Sequence, residues 1–317
     1  MIHGTSFTKK ATQRVYFFAL FFVILVWGLD PLIMSFFYQY YSASALTAAG
    51  TLISALLFLA LAVRRRGEFH VGYLKVAVPI SLLNSVACLL QKIGLQYTTP
   101  ANYAFLEHLS CLTVPLMLFL LGGKRPAARQ LVAGGICLGG CFLLCGTSFA
   151  GSALGIGNLL CASAGILLGV CVAAIAVFAK GLDLTLYMAV HMPVYFLTSL
   201  ASTLLLSRIS INGMPLEPFR FSLSAPVLLL ALLFGLVSIG VCWWLKAAAI
   251  LHIDPTTVAV TSPLSAVISA LFSVLFGRDT ASLRLVLGGV LILAAAMLSG
   301  TERIERQSPA KNGFDGL

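Results

Sequence analysis

The chain has 317 residues, 60% of them hydrophobic and only 9% charged, with a mean hydropathy of +1.01. A soluble domain carries about 25% charged residues, so a chain this apolar cannot cover a water-soluble fold. The net charge of +10 is spread over short segments and builds no continuous basic face, which excludes a nucleic-acid partner.

Apolar runs recur in chain order over 15–38, 43–63, 73–97, 101–121, 127–148, 153–179, 184–206, 225–250, 255–276 and 282–300. Each is close to the roughly 20 residues that a helix needs to cross a bilayer. The alternating segments of a membrane barrel are absent. Helices are then the remaining spanning element, because lipid satisfies no exposed backbone group. The expected fold class is an all-α integral membrane protein with ten transmembrane helices, between tails 1–14 and 301–317. The first run is too long for a signal peptide and lacks a small-residue cleavage site, so it reads as a retained helix. Short connections predict antiparallel neighbours. In the two tightest, Thr98-Thr99-Pro100 and His252-Ile253-Asp254-Pro255, proline opens the next helix, where its missing N–H costs nothing. No soluble domain fits; the longest polar stretches are the two ends and Arg208 to Ser224.

With ten spans, both ends and the even-to-odd loops share a side. That side holds fourteen Lys and Arg residues, among them Lys9, Arg14, Arg64, Arg65, Arg66, Lys124, Lys180 and Arg303. The other side holds four: Arg208, Arg220, Arg278 and Arg284. The positive-inside rule then places both termini in the cytoplasm, in a protein expected in the plasma membrane.

The chain also matches itself. At a shift of 155, Pro100 meets Pro255, Leu109 meets Leu264, Ser110 meets Ser265, Gly122 meets Gly277, Arg129 meets Arg284 and Gly134 meets Gly289; Lys92 meets Lys246 at 154. The expected domains are therefore two five-helix repeats, 15–148 and 153–300. Five is odd, so the second copy enters the membrane inverted, and transporters are built this way with the site between the halves.

Ionisable groups within spans are the candidates for chemistry, because lipid makes them costly. Asp30, Glu107 and His108 fall at similar depth in the outer half of the membrane. Two carboxylates there could hold a proton or a cationic group. Adjacent helical residues diverge by about 100°, so Glu107 and His108 are not expected to point into one cavity together. Lys92 and Lys246 either snorkel to the interface or turn inward to hold a substrate carboxylate. His191 sits two residues before Pro193, as a packing or a cavity histidine. Trp27, four before Pro31, offers a ring to a cation or an organic solute. Asn84 and Gln91, seven apart, share a face and offer neutral hydrogen bonds. Trp243, Trp244 and the tyrosines 38, 40, 41, 97 and 103 read as interface residues. Asp254 reads as a turn or cap residue, and Asp183 as a loop charge beside Lys180. Gly135/Gly139 and Gly165/Gly169 have the spacing of close helix packing. All eight cysteines lie in apolar runs. Cys137, Cys141 and Cys145 share a face, but the outer two are about 12 Å apart at 1.5 Å per residue. One ion cannot bridge them, so no metal and no cofactor is expected.

Trp27-Gly28, the turn into Pro100, the Gly-rich stretch to Cys145, and Thr261-Ser262-Pro263-Leu264 followed by Gly277 and Gly288-Gly289 stand in a recognisable order. In this order the chain resembles the ten-helix EamA-type branch of the drug/metabolite transporter superfamily. It departs from that pattern at both turns, where Gly122-Gly123-Lys124 and Gly277-Arg278-Asp279 replace Gly-Glu. It departs again at Glu107-His108-Leu109, where the second half has Ser262-Pro263-Leu264. The resemblance implies a carrier for amino acids, other metabolites or toxic organics, with a cavity formed by spans one, three, four, six, eight and nine. The expected function is secondary-active, proton-coupled export of a small polar organic solute, such as an amino acid, another metabolite or a cationic drug-like compound. The alternative is a membrane-embedded enzyme acting on a lipid or small metabolite. Gly-x-Ser-x-Gly, His-Glu-x-x-His and an aspartate dyad are all absent, so no enzyme is expected. The partners are the solute, protons and the lipid bilayer; monomer and homodimer both remain open.

Overall fold

The computed structural model describes residues 3–98, 100–123, 125–145, 155–211, 214–215, 217–276 and 282–300. The expected tail 301–317, residues 146–148 and 153–154 of the two repeats, and Lys124, Gly277, Arg278 and Asp279 of the turns lie outside them.

The helices are α1 (His3–Phe37), α2 (Ala43–Val63), α3 (Val71–Tyr97), α4 (Pro100–Glu107), α5 (Ser110–Gly122), α6 (Ala128–Cys145), α7 (Ile156–Phe178), α8 (Leu184–Leu206), α9 (Ala225–Phe234), α10 (Cys242–His252), α11 (Pro255–Thr261), α12 (Leu264–Leu275) and α13 (Leu283–Gly300). A π-helical segment, Gly235–Val241, joins α9 to α10. A two-residue ribbon, β1 (Ser210–Ile211) with β2 (Met214–Pro215), lies between α8 and α9. Among the described residues, eight helical stretches are long and apolar enough to cross a membrane, and Ala128–Leu144 and Leu283–Ser299 are shorter apolar helices. The chain is an all-helical, multi-pass membrane protein.

The sequence-based spans fall on these helices with three corrections. The expected tail 1–14 is helical from His3, since no proline or glycine interrupts residues 5–27. The fourth and ninth spans are each two helices, α4–α5 and α11–α12, with breaks at 108–109 and 262–263. The eighth span widens into the π segment. At the breaks the chain tightens to i→i+3 bonds: His108 N–H donates to Phe105 C=O at 3.2 Å, and Ser265 N–H donates to Ser262 C=O at 3.0 Å. The predicted proline starts are present at Pro100 and Pro255, and Asp254 caps α11 by accepting from Thr257 N–H at 3.0 Å.

Packing follows one pattern twice. α3 lies along α7 as α1 lies along α10; α5 along α7 as α12 along α1; α3 along α8 as the π segment and α9 along α2. The pairs α2–α8 and α6–α13 complete the set. Among these pairs, replacing every span by its counterpart five spans away returns the same set.

Small residues allow these approaches. A Cβ on Gly235 would lie 2.1 Å from Gly50 Cα, and one on Gly140 would lie 2.9 Å from Gly288 O. Gly165 and Gly169 pack as expected, against Leu106 O and Thr113. Gly135 and Gly139 do not: nothing lies within 4 Å of a Cβ there, and their neighbours Gly134 and Gly140 make the contacts instead. Those two contacts lie on the faces of α6 that meet α5 and α13.

Three further side chains depart from the sequence reading. Trp243 is 9% exposed and packs in the core rather than at an interface belt. Tyr41 is fully buried, donating through its hydroxyl to Ser222 C=O at 2.8 Å. Asp183 caps α8, accepting from Thr185 and Leu186 N–H, and pairs with Arg65 rather than Lys180.

Candidate functional site

A cavity of about 40 Å³ opens where the two broken spans face each other, lined by Trp27, Glu107, His108, Ser110, Lys246 and Ser262, with Leu168, Val172, Ala259 and Ser265 completing its wall. That is room for a few waters. The wall comes from spans one, four, six, eight and nine; span three, expected there, contributes none of it.

The break in the fourth span places two candidates together. α4 ends at Glu107 and the tight turn begins at His108. The backbone thus leaves helical geometry between them, and both reach the cavity. The expectation that they diverge assumed a continuous helix and is corrected here. Gly165 on α7 makes the bend possible: a Cβ there would lie 2.3 Å from Leu106 O and 2.9 Å from Glu107 O. The second break is approached in the same way by Gly28 on α1, whose Cβ would meet Ile268 at 2.6 Å and Ser265 O at 2.9 Å.

Lys246 turns inward. Its Nζ lies 4.6 Å from the ring centre of Trp27 and 5.2 Å from that of Trp243, so two indole faces hold the ammonium without neutralising it. Glu107 lines the same cavity. Among the described residues the ion pair is Arg65–Asp183, and neither Glu107 nor Lys246 has a hydrogen-bonding partner. One cation and one anion, contributed by opposite halves, therefore share a cavity without touching.

Trp27 is fixed by donating through Nε1 to Ser238 C=O at 3.0 Å. Asp30, one turn on, accepts from Ser238 Oγ at 2.7 Å. Both bonds reach the π segment, whose wider turns release backbone carbonyls from their α-helical partners. Asp30 is thus turned to the eighth span and does not line the cavity with Glu107, which corrects the grouping of the three residues.

The remaining candidates lie apart from the cavity. Lys92 donates to the Thr47 hydroxyl on α2. His191 is buried at 1% exposure, with Nδ1 2.7 Å from Ser81 Oγ and its ring stacked on Tyr187. Ser81 spends its one hydroxyl hydrogen on Ala77 C=O, so His191 Nδ1 is the donor. His191 still meets the site indirectly, with its ring centre 6.1 Å from that of Trp243. Asn84 is 1% exposed, and neither of its amide atoms has a partner among the described residues. Gln91 is further along α3; its backbone carbonyl faces the Cys161 thiol at 4.0 Å.

Sequence reasoning missed Ser238 and misread Trp243. Ser238 did carry a signal, a lone hydroxyl between Gly235 and Gly240 inside an otherwise apolar span.

The architecture defines a polytopic helical membrane protein with a small cavity lined by residues of both halves of the chain. Residues 14–146 match the model of the EamA-like transporter family, the family that the motifs resemble. A solved crystal structure is similar to this chain with a TM-score of 0.71, covering 90% of this chain and 96% of its own, at 19% sequence identity. At that identity the likeness speaks for the fold alone. Among curated proteins, none matches the chain.

Proposed function

We propose that the protein is a secondary-active carrier that moves a small polar organic solute by alternating access between two inverted five-helix units, 15–148 and 153–300. The observation that carries this reading is the pair of opposite charges, Glu107 and Lys246, that line one cavity with neither a hydrogen bond nor an ion pair among the described residues. A buried charge without direct hydrogen-bonding partners is expensive. A solute bearing an ammonium and a carboxylate, as an amino acid does, would satisfy both at once. Its ammonium goes to Glu107 and its carboxylate to Lys246, with Ser110, Ser262 and Ser265 offering neutral hydrogen bonds. As it stands the cavity admits only water, so it must widen to admit such a solute. The mirrored packing supports rocking of the halves as the means.

The basic loops favour cytoplasmic termini, and the resemblance favours export through the plasma membrane. Glu107 is the group at which a proton would exchange for the solute's ammonium. Asp30, Lys92 and His191 tie the surrounding helices together in this state through Ser238, Thr47 and Ser81.

The test is ligand-induced stabilisation of the purified protein in detergent, with glycine, ethylammonium and acetate as probes at two pH values. Ligand at 100 times Kd adds about 2.7 kcal/mol to stability. The zwitterion should stabilise the protein, and the two half-charged probes should do so weakly or not at all. Glycine should lose its effect in both Glu107→Gln and Lys246→Met. Stabilisation by acetate alone, or a glycine response that survives both substitutions, removes this site. Uptake into proteoliposomes then separates carriage from chemistry, since an enzyme would turn the probe over without moving it.

A further inference from the structure

Three buried thiols lie beside the site without entering it. Cys111 opens α5, Cys137 and Cys141 lie on α6, and all three are fully buried. The Cys111 and Cys137 sulfurs are 3.9 Å apart. Each also faces a main-chain carbonyl of the other half: Cys111 Sγ is 3.3 Å from Ala259 O, and Cys137 Sγ is 3.5 Å from Val260 O.

These carbonyls have a particular place in the ninth span. In a continuous helix, Ala259 C=O would accept from the N–H of residue 263. That residue is Pro263, which has none. Val260 C=O would accept from Leu264, which begins the next helix on the far side of the break. The side chains of Thr261 and Ser262 do not help, because their hydroxyls turn back to Thr257, at 2.8 Å, and Val258, also at 2.8 Å. Val260 C=O meets the apolar cluster of Cys111, Ala133, Cys137 and Cys141, which leaves no water to serve it; Ala259 lines the cavity, with Cys111 Sγ against its carbonyl. An orphaned carbonyl at membrane depth is costly.

We infer that Cys111 and Cys137 are positioning residues: their S–H groups replace the donors that the Pro263 break removes, and so hold the end of α11, with Ala259 in the cavity wall, against the first half of the chain. Each thiol has one hydrogen, and the short approach to a carbonyl accounts for each. Cys111 lies three residues beyond the His108 turn, so this clasp also ties the two broken spans to each other. Cysteine suits the place because it packs as a small hydrophobe and keeps a weak donor. The inference concerns the backbone of α11 and stands whether or not the central site takes a zwitterion.

The experiment is hydrogen–deuterium exchange of the full-length protein in detergent, followed in peptides that span residues 256–268. Four proteins are compared: the wild type, Cys111→Ala/Cys137→Ala, Cys111→Ser/Cys137→Ser, and the single Cys111→Ala in case the double alanine protein does not fold. Loss of the donors should speed exchange around the break by about fivefold or more through local opening. Serine, which keeps an O–H donor, should hold it near the wild-type rate. Equal exchange in the alanine and wild-type proteins overturns the inference. So does equally fast exchange in the serine and alanine proteins, because the thiols would then act through packing volume. Glycine-induced stabilisation, measured on the same proteins, reads the central site separately: it fails in the wild type if the zwitterion reading is wrong, while the exchange result remains decisive for the clasp.

Discussion

The two broken spans reach one geometry by different chemistry. In the second half the break is written into the covalent chain by Pro263, flanked by Ser262, and its residues at the cavity are neutral. In the first half no proline stands at the break; Glu107 and His108 occupy it, and the chain bends because Gly165 lets α7 come within contact of two backbone carbonyls. One break is local and the other is tertiary. The tertiary one carries the acidic charge, and the local one leaves space for it. The two breaks thus share a geometry, while only the first places a charged side chain at the cavity.

Substitutions at the two glycines should break this comparison most sharply. Gly165→Ala drives a Cβ to 2.3 Å from the backbone oxygen of Leu106, whereas Gly28→Ala meets Ile268 at 2.6 Å and the backbone oxygen of Ser265 at 2.9 Å. The closer main-chain contact is the harder to relieve. Overpacking typically costs about 1–3 kcal/mol; Gly165→Ala should reach or exceed the top of that range and Gly28→Ala cost less. Thermal unfolding in detergent decides, and equal losses would mean that both breaks depend on tertiary contact alike.

Next in size is the division of labour within the cavity. Glu107→Gln removes a charged hydrogen-bonding group, a loss of roughly 1.5–3 kcal/mol or about tenfold or more in glycine affinity. Ser262→Ala removes a neutral one and should cost about 1 kcal/mol. If titration finds the serine change to be the larger, the acidic half does not carry recognition.

A smaller effect is expected at Trp27→Phe. The ring stays, but the Nε1 donation to Ser238 C=O is lost, at a net cost of about 1 kcal/mol. Lys246 keeps an aromatic face, so glycine affinity should fall much less than in Lys246→Met. An equal fall would show that the indole holds the solute directly.

The smallest contrast lies outside the membrane core. Arg65→Ala breaks its pair with Asp183, and because Arg65 is half exposed the loss should be under about 1 kcal/mol. Asp183→Ala also removes the α8 cap and should cost about 1 kcal/mol more. Equal losses in unfolding experiments would leave the cap without weight.

The positions of the helices were legible because apolar length and proline starts act locally. Pro100, Pro255 and the cap at Asp254 could be read from neighbouring residues alone. Glu107, His108, Trp27 and Lys246 were legible as costly or amphipathic residues within spans. Their grouping was not, since it depends on which turn bends. The break at His108 arises from Gly165, 57 positions away in sequence, and no periodicity in the fourth span announces it. Asp30 was placed at the right span but assigned the wrong neighbours, because Ser238 reaches it only through the π segment. Trp243 looked like a belt residue by its position near a span end, while the inward turn of Lys246 beneath it was invisible to a count of residues.

The π segment has one more consequence. A helix that takes five residues to close a bond stores slack between fixed ends, as a dislocation stores an extra row in a crystal. Because Trp27 and Asp30 both hang from Ser238, a return of this segment to α-helical register that turned the serine away would release both together.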